Sequence, residues 1–362
     1  MKILIDIGHP AHVHYFKNFC KTSEAGGNEV LFTTRDKEIA IALLEHYGFK
    51  YINFGKPFKS KLGKIIGLFY FTIRLFGVSI KFKPEIYLNS TMYSAIVACL
   101  LRKPHIALED TYNNEQVNLY LPFTSAVLTA DYPHPSLGRK EIQYSGYHEL
   151  LYLHPNNFVP DPGIIKELGL KEAEKYVILR FVSWNASHDF GHKGISQKNK
   201  LLAINRFSEF SKVFISSEST LPEEFNKYQF PLAPYKMHDA LAFASLVYGE
   251  SSTMTSEGAV LGIPGIYIND NSTYLTQEQE NKYGLVFNYT ETNADQIKSI
   301  EKGVEIICDF DSAEKWKVKR NRMLKDKIDS NAFITWFIEN FPNSFKTMQE
   351  NPEYQYKFEN KI

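Results

Sequence analysis

SLVYGESSTMTSEGAVLGIPGIYIN, residues 245–269, reads as strand, tight loop, helix, Gly-Pro turn and strand. Leu246, Val247 and Tyr248 form a short apolar run that ends at Gly249. Ser251, Ser252 and Thr253 make a loop of small hydroxyl residues. A helix follows through Glu257, Ala259 and Leu261 until Gly262 and Pro264 stop it. In open α/β sheets such a loop lies at the carboxyl end of a strand, where ligands bind. Its hydroxyls and N–H groups stand at a positive helix end, which suits phosphate. Thr253 and Glu257 are four residues apart and share a helix face. A carboxylate one turn beyond a phosphate seat matches the two hydroxyls of a ribose, because it only accepts hydrogen bonds. A capped helix packed on a sheet gives the same pattern without any ligand, so the remaining sequence has to decide between them.

The 362 residues exceed one ordinary core and predict two domains. With 44% hydrophobic and 23% charged residues the chain belongs to the globular class. A formal net charge of zero and a pI of about 7.2 give no electrostatic case for nucleic acid. Cys20, Cys99 and Cys308 lie far apart and form no CxxC pair, so they read as thiols of a reducing compartment. Met1-Lys2 leads straight into the strand ILIDI, which predicts no signal peptide. No apolar run is expected to reach the ~18 residues of a membrane span. The expected location is the cytoplasm.

The amino-terminal half repeats the same design. Ile3, Leu4, Ile5 and Ile7 predict a buried strand, Gly8, His9 and Pro10 a loop, and His12 and His14 the start of a helix that ends at Gly26-Gly27. Val30 to Thr33 is the next strand, completing a βαβ unit without a GxGxxG fingerprint. Further strands are expected at 51–54, 85–89, 105–108 and 127–129. The strand HIAL ends in the adjacent carboxylates Glu109 and Asp110, which either serve chemistry or cap the following turn. Residues 56–83 combine seven Lys or Arg, no Asp or Glu, and many large apolar residues. They fit a buried helix with a basic end, or a peripheral contact with the inner face of an anionic membrane.

Residues 150–170 carry three prolines and form the expected linker. Tyr176 to Phe181 opens a second α/β series, followed by the polar loop VSWNASHDFGHKG. His188, Asp189 and His192 make a loose metal set there, and a loop with ligand-binding backbone fits better. A helix at 196–210, a strand at 212–216 and a helix at 238–245 lead to the opening stretch. KWKVKRNRMLKDK reads as a solvated helix face, and AFITWFIENF as an aromatic closing helix capped near Asp329.

These stretches resemble a family of bacterial and archaeal proteins, the domain of unknown function 354. That family is similar to glycosyltransferases of the GT-B fold and to UDP-N-acetylglucosamine 2-epimerases. The matching stretches are IDIGHPAHVHYFKNF, KPHIALEDTYNNEQVNLYLPFTSAVLTADYP, YHELLYLHPNNFVPD, LRFVSWNASHDFGHKG and GESSTMTSEGAVLGIPGIYI. The chain departs from the family where Ser251 and Ser252 replace glycines and Ser256 an alanine-like residue. The resemblance implies an α/β fold of two Rossmann-like domains facing across a cleft. Residues 1–155 would take the acceptor side, 156–335 the nucleotide-sugar side, and 336–362 a helix and tail. It further implies a hexosyltransferase moving a sugar from a UDP donor to a saccharide or lipid-linked acceptor in surface-polysaccharide assembly, with no metal or other cofactor. His12, and second His14, match the histidine beside the reacting sugar, where a neutral ring takes a proton from the acceptor hydroxyl. Gly249, Ser251, Ser252 and Thr253 match the diphosphate seat and Glu257 the ribose contact. Arg180, Ser183, Asn185 and His188 match the opposite wall.

Two other readings compete. In a non-hydrolysing epimerase, Glu109 and Glu115 match the two catalytic glutamates, but Asn89-Ser90-Thr91 stands where that pattern has an aspartate. A non-catalytic nucleotide-sugar binder needs Glu257 and the hydroxyl loop alone.

Overall fold

The computed structural model describes residues 1–36, 39–58, 60–182, 194–217 and 221–359. The chain divides into two units, Met1–Asn157 with Lys327–Ile362, and Phe158–Asp326. The second boundary differs from the expected one at residue 335: the aromatic closing helix, Ser330–Glu339, is part of the first unit, capped by Asp329 through Ala332 N–H.

The first unit is built on a seven-stranded parallel sheet. Its strands are β1 (Lys2–Ile7), β2 (Glu29–Thr34), β3 (Tyr51–Asn53), β4 (Ile86–Leu88), β5 (His105–Glu109), β6 (Ala126–Ala130) and β7 (Glu141–Tyr144). They lie in the order β3-β2-β1-β4-β5-β6-β7, every pair parallel. Parallel strands are covered on both faces, which is why KILIDI and HIALE are continuous apolar runs rather than alternating ones. The strand order reverses between β1 and β4, so the ends of those two strands flank a switch point. The edge strand β7 was not among the expected strands. The helix Pro10–Ala25 follows β1. Its N-cap is His9, whose ring accepts from Ala11 N–H, and Pro10 occupies the first turn.

The helix Lys61–Phe82 starts at Ser60, whose side chain accepts from Gly63 N–H, and ends at Lys83 in a left-handed conformation. Its Phe71 and Leu75 join a core cluster with Leu4, Tyr87 and Val97. Here an expectation needs correction: this helix is long and apolar enough, by length and composition, to cross a membrane. Interspersed Arg74 and the glycines had obscured it.

The second unit has a five-stranded parallel sheet: β8 (Tyr176–Phe181), β9 (Lys212–Ser217), β10 (Leu246–Gly249), β11 (Gly265–Ile268) and β12 (Val286–Tyr289). The order is β12-β11-β10-β8-β9. This is the flavodoxin-like arrangement, with its switch point between β8 and β10. An amphipathic helix, Asn293–Cys308, capped by Thr292, was absent from the expected elements. The helix Ser312–Asp326 carries the basic run.

Candidate functional site

In the first unit the polar groups gather at the carboxyl ends of β1, β4 and β5. Gly8 follows β1, and its N–H donates to His12 Nδ1 at 3.3 Å. Asn89, immediately after β4, approaches the same nitrogen with Nδ2 at 2.7 Å and donates from Nδ2 to the Asp6 carbonyl at 2.7 Å. Turning the Asn89 amide over would set its oxygen against that carbonyl, so the amide orientation is fixed by the Asp6 contact. Two N–H donors therefore converge on His12 Nδ1, and the proton of the neutral ring resides on Nε2. Asn89 holds this position at φ 93, a left-handed conformation that asparagine tolerates. Beneath it Asp6, fully buried, pairs with Arg35 at 2.9 Å and accepts from Thr33 and Thr91 hydroxyls.

Beside His12 stands Tyr15, ring centroids 5.6 Å apart, whose hydroxyl donates to Asp110 Oδ2 at 2.5 Å. Asp110 is half-buried. Burial raises its carboxyl above the usual range against the opposing pull of the Tyr15 hydroxyl and His9. His148 backs Tyr15 at 5.2 Å, and burial lowers it to about 4, so it is neutral at physiological pH. His9 lies exposed at the rim, 6.1 Å from His12.

The adjacent carboxylate Glu109 has a different place. It is buried, and its Oε1 accepts from Thr111 N–H, the Thr111 hydroxyl and Tyr112 N–H at 2.8–2.9 Å. Its Oε2 accepts from the Tyr120 hydroxyl. Burial and the neighbouring Asp110 charge raise it, while Tyr120 and Thr111 oppose them. Glu109 thus braces the turn after β5. Glu115, on the helix Asn114–Tyr120, is exposed. His14 is buried away from His12, stacked on Tyr152 at 5.5 Å with Nδ1 3.3 Å from the Tyr47 hydroxyl.

In the second unit Gly249 ends β10 in register with Arg180 of β8. Its φ is 148, and a Cβ there would lie 2.0 Å from the Arg180 carbonyl oxygen, so only glycine fits. Arg180 reaches across to Ser216 at the end of β9, 2.8 Å away. Ser251 is the N-cap of the helix Ser252–Leu261 and accepts from Met254 N–H at 3.2 Å. Ser252 and Thr253, both half-buried, occupy its first turn. Glu257 is buried, with Oε1 3.0 Å from His238 Nε2. Ser183, Asn185 and His188, and with them the loose metal set His188, Asp189 and His192, lie outside the described residues.

Glu250, not singled out in the sequence, takes a central place. It is buried and accepts from Val182 N–H at 2.9 Å and from Ile195 N–H at 2.6 Å, with Lys200 Nζ 3.3 Å away. It thereby ties together the two chain ends that flank residues 183–193. Burial raises its carboxyl, against Lys200 and the two N–H groups. The available signal was its position directly after a predicted buried strand.

Residues 1–286 match the family described as a protein of unknown function, DUF354. The chain belongs to this family. The uncharacterized protein MJ0665 of Methanocaldococcus jannaschii is 27% identical over 282 residues, 74% of this chain and 81% of that protein. Among solved structures, S. aureus MnaA in a co-structure with UDP superposes with a TM-score of 0.68 at 12% identity, over 95% of this chain and 97% of that one. The UDP-GlcNAc 2-epimerase from Neisseria meningitidis bound to UDP-GlcNAc gives 0.62 at 15% identity, over 90% and 100%. The spinosyn rhamnosyltransferase SpnG with its aglycone gives 0.58 at 14%, over 94% and 100%. This DUF354 chain shares the α/β fold of GT-B glycosyltransferases and UDP-sugar epimerases.

Proposed function

We propose that this DUF354 protein transfers a sugar from a nucleotide donor, UDP by the ligands of its structural neighbours, to a hydroxyl acceptor. The observation that carries the reading is the turn at the β8/β10 switch point. Gly249, kept as glycine by the Arg180 carbonyl, opens onto the helix capped by Ser251. The N–H groups of that first turn, with the Ser252 and Thr253 hydroxyls, suit a diphosphate, and Arg180 adds positive charge near it. Glu257, steadied by His238, is one turn further along, where a carboxylate reads ribose hydroxyls.

Within the first unit, Asp110 and His12 are the groups this reading gives to acid–base work. The carboxylate of Asp110 takes the proton of the acceptor hydroxyl. Its oxygen then bonds to the anomeric carbon, while the bond from that carbon to the diphosphate oxygen breaks and UDP leaves. An upward-shifted carboxylate is the stronger base for this step. His12, with its proton on Nε2, donates a hydrogen bond instead of accepting the proton. This reverses the role its family resemblance implies, for the reason that Gly8 and Asn89 occupy Nδ1.

A second reading is supported by the TM-scores, which are higher for the epimerase-named neighbours: elimination and re-addition of UDP with inversion at C2. Glu109 weighs against it, because the turn after β5 engages its Oε1 and the Tyr120 hydroxyl its Oε2. The test is incubation with a panel of UDP-sugars without acceptor. Slow UDP release that falls at least about a hundredfold in Asp110→Asn supports transfer. Appearance of a C2 epimer overturns it in favour of the epimerase, and UDP-sugar binding without any turnover in favour of a non-catalytic binder.

A further inference from the structure

The helix Lys61–Phe82 has two apolar faces, and only one is used by the core. At about 100° per residue, Phe71, Leu75 and Val78 fall within roughly 60° of one another on the buried side. Ile65, Phe76, Phe69, Ile80, Ile73 and Ile66 fall on an arc of about 100° on the opposite side. All six are exposed, from 37% for Phe76 to 70% for Ile73. No charged residue interrupts that arc. Exposed apolar residues are ordinary singly, but a stripe along about four turns of one helix marks an interaction surface.

We propose that this stripe seats the first unit on an anionic lipid bilayer, with the helix lying in the interface. Charge decides the occupant. Residues 56–83 carry seven Lys or Arg and no Asp or Glu. Arg74 and Lys81 flank the stripe on one side, Lys83 stands at its end and Lys56 precedes the helix; all four are exposed. A second copy docking on the same face would bring two such basic sets together with no carboxylate in either segment to pair them. Anionic headgroups pair them, and the acyl boundary takes the isoleucines and phenylalanines. A crossing helix is disfavoured by the other face: Phe71 and Leu75, 2% and 0% exposed, would have to leave the core they share with Leu4 and Tyr87. The seat is independent of the sugar chemistry, so either proposal can fail alone.

Flotation of the full chain with vesicles of phosphatidylglycerol and phosphatidylcholine tests it. The wild type is expected to float with them, weakly with pure phosphatidylcholine, and less as salt rises to about 0.5 M. Phe69→Ser/Ile73→Ser and, separately, Lys56→Glu/Lys81→Glu are expected to lower the bound fraction roughly tenfold with an unchanged far-ultraviolet spectrum, since these side chains are exposed. Absence of wild-type flotation overturns the proposal, as does equal flotation of Phe69→Ser/Ile73→Ser. So does a wild-type oligomer that this variant converts to monomer without any change in vesicle binding. Membrane retention through carbonate washing would show a crossing helix and overturn the interfacial placement.

Discussion

Asp6 and Arg35 show how single residues prepare the first unit's site. The pair is buried, and Arg35 also donates to the Ile7 carbonyl at 2.6 Å while its guanidinium lies 4.9 Å from the Tyr93 ring. Removing one partner strands the other charge, so Asp6→Asn is expected to cost about 3–5 kcal/mol in urea unfolding. Gly249→Ala meets the Arg180 carbonyl and is expected to cost roughly 3 kcal/mol, with UDP binding lost together with stability. His105, wholly buried between the Ser94 and Thr124 hydroxyls, is lowered by burial to about 3. The unfolded chain protonates this histidine below about 6.5, whereas the folded one waits until about 3. Its contribution is therefore complete above 6.5 and is lost as pH falls toward 3, by up to about 1.4 kcal/mol per pH unit. Unfolding of His105→Gln followed over that range is expected to show a shallower acid loss than wild type. At this scale the sequence was legible in type rather than role. It named Glu109 and Asp110 together, but neighbouring residues at a strand end point in different directions. Only packing reveals that Tyr120 and the Thr111 turn hold the first while Tyr15 leaves the second at the rim. His12 was singled out by its loop; the donors that converge on its Nδ1 come from Gly8 and from Asn89, 77 residues away.

Elements were legible where their period was strong. The strand–loop–helix at 245–269 appears as read, because Ser251 caps and Gly262 terminates a helix between two buried strands. Ser251→Ala is expected to lose about 1 kcal/mol, while Ser252→Ala, one residue into the first turn, leaves stability nearly unchanged; thermal unfolding with and without UDP separates the two. The edge strand β7 was missed because EIQY is short and half polar. The helix Asn293–Cys308 was missed although Thr292 caps it and its apolar residues, Ile300, Ile306 and Ile307, are spaced for one buried face. For Lys61–Phe82 the difficulty was of another kind. A helix apolar on two sides has no single period, so sequence cannot say which side the core takes.

For the whole molecule, two α/β series were readable from alternating strand and helix signals, whereas the strand orders, which jump from β3 to β4 and from β9 to β10, come from the structure. The boundary at the carboxyl end was not readable, since nothing in the composition near residue 327 announces a return to the first unit. Contacts make that return plain: Ile328 N–H donates to the Ser145 carbonyl at 2.7 Å, Gln355 accepts from Ser145 N–H at 2.6 Å, and Phe333 stacks on Tyr144 at 5.5 Å. Residues 158–326 are contiguous and have their own core, so this fragment is expected to unfold cooperatively by itself and to bind UDP, which calorimetry checks. The fragment 1–157 is expected to fail the same test, because Tyr144 and β7 lose their cover. The return segment also sets an order of events during translation. The unit encoded first cannot close until the ribosome has released the last-made helices, so the unit encoded second is the first to be complete. A released chain ending at residue 326 would carry one finished body tethered to an unfinished one that still shows its apolar flank to chaperones.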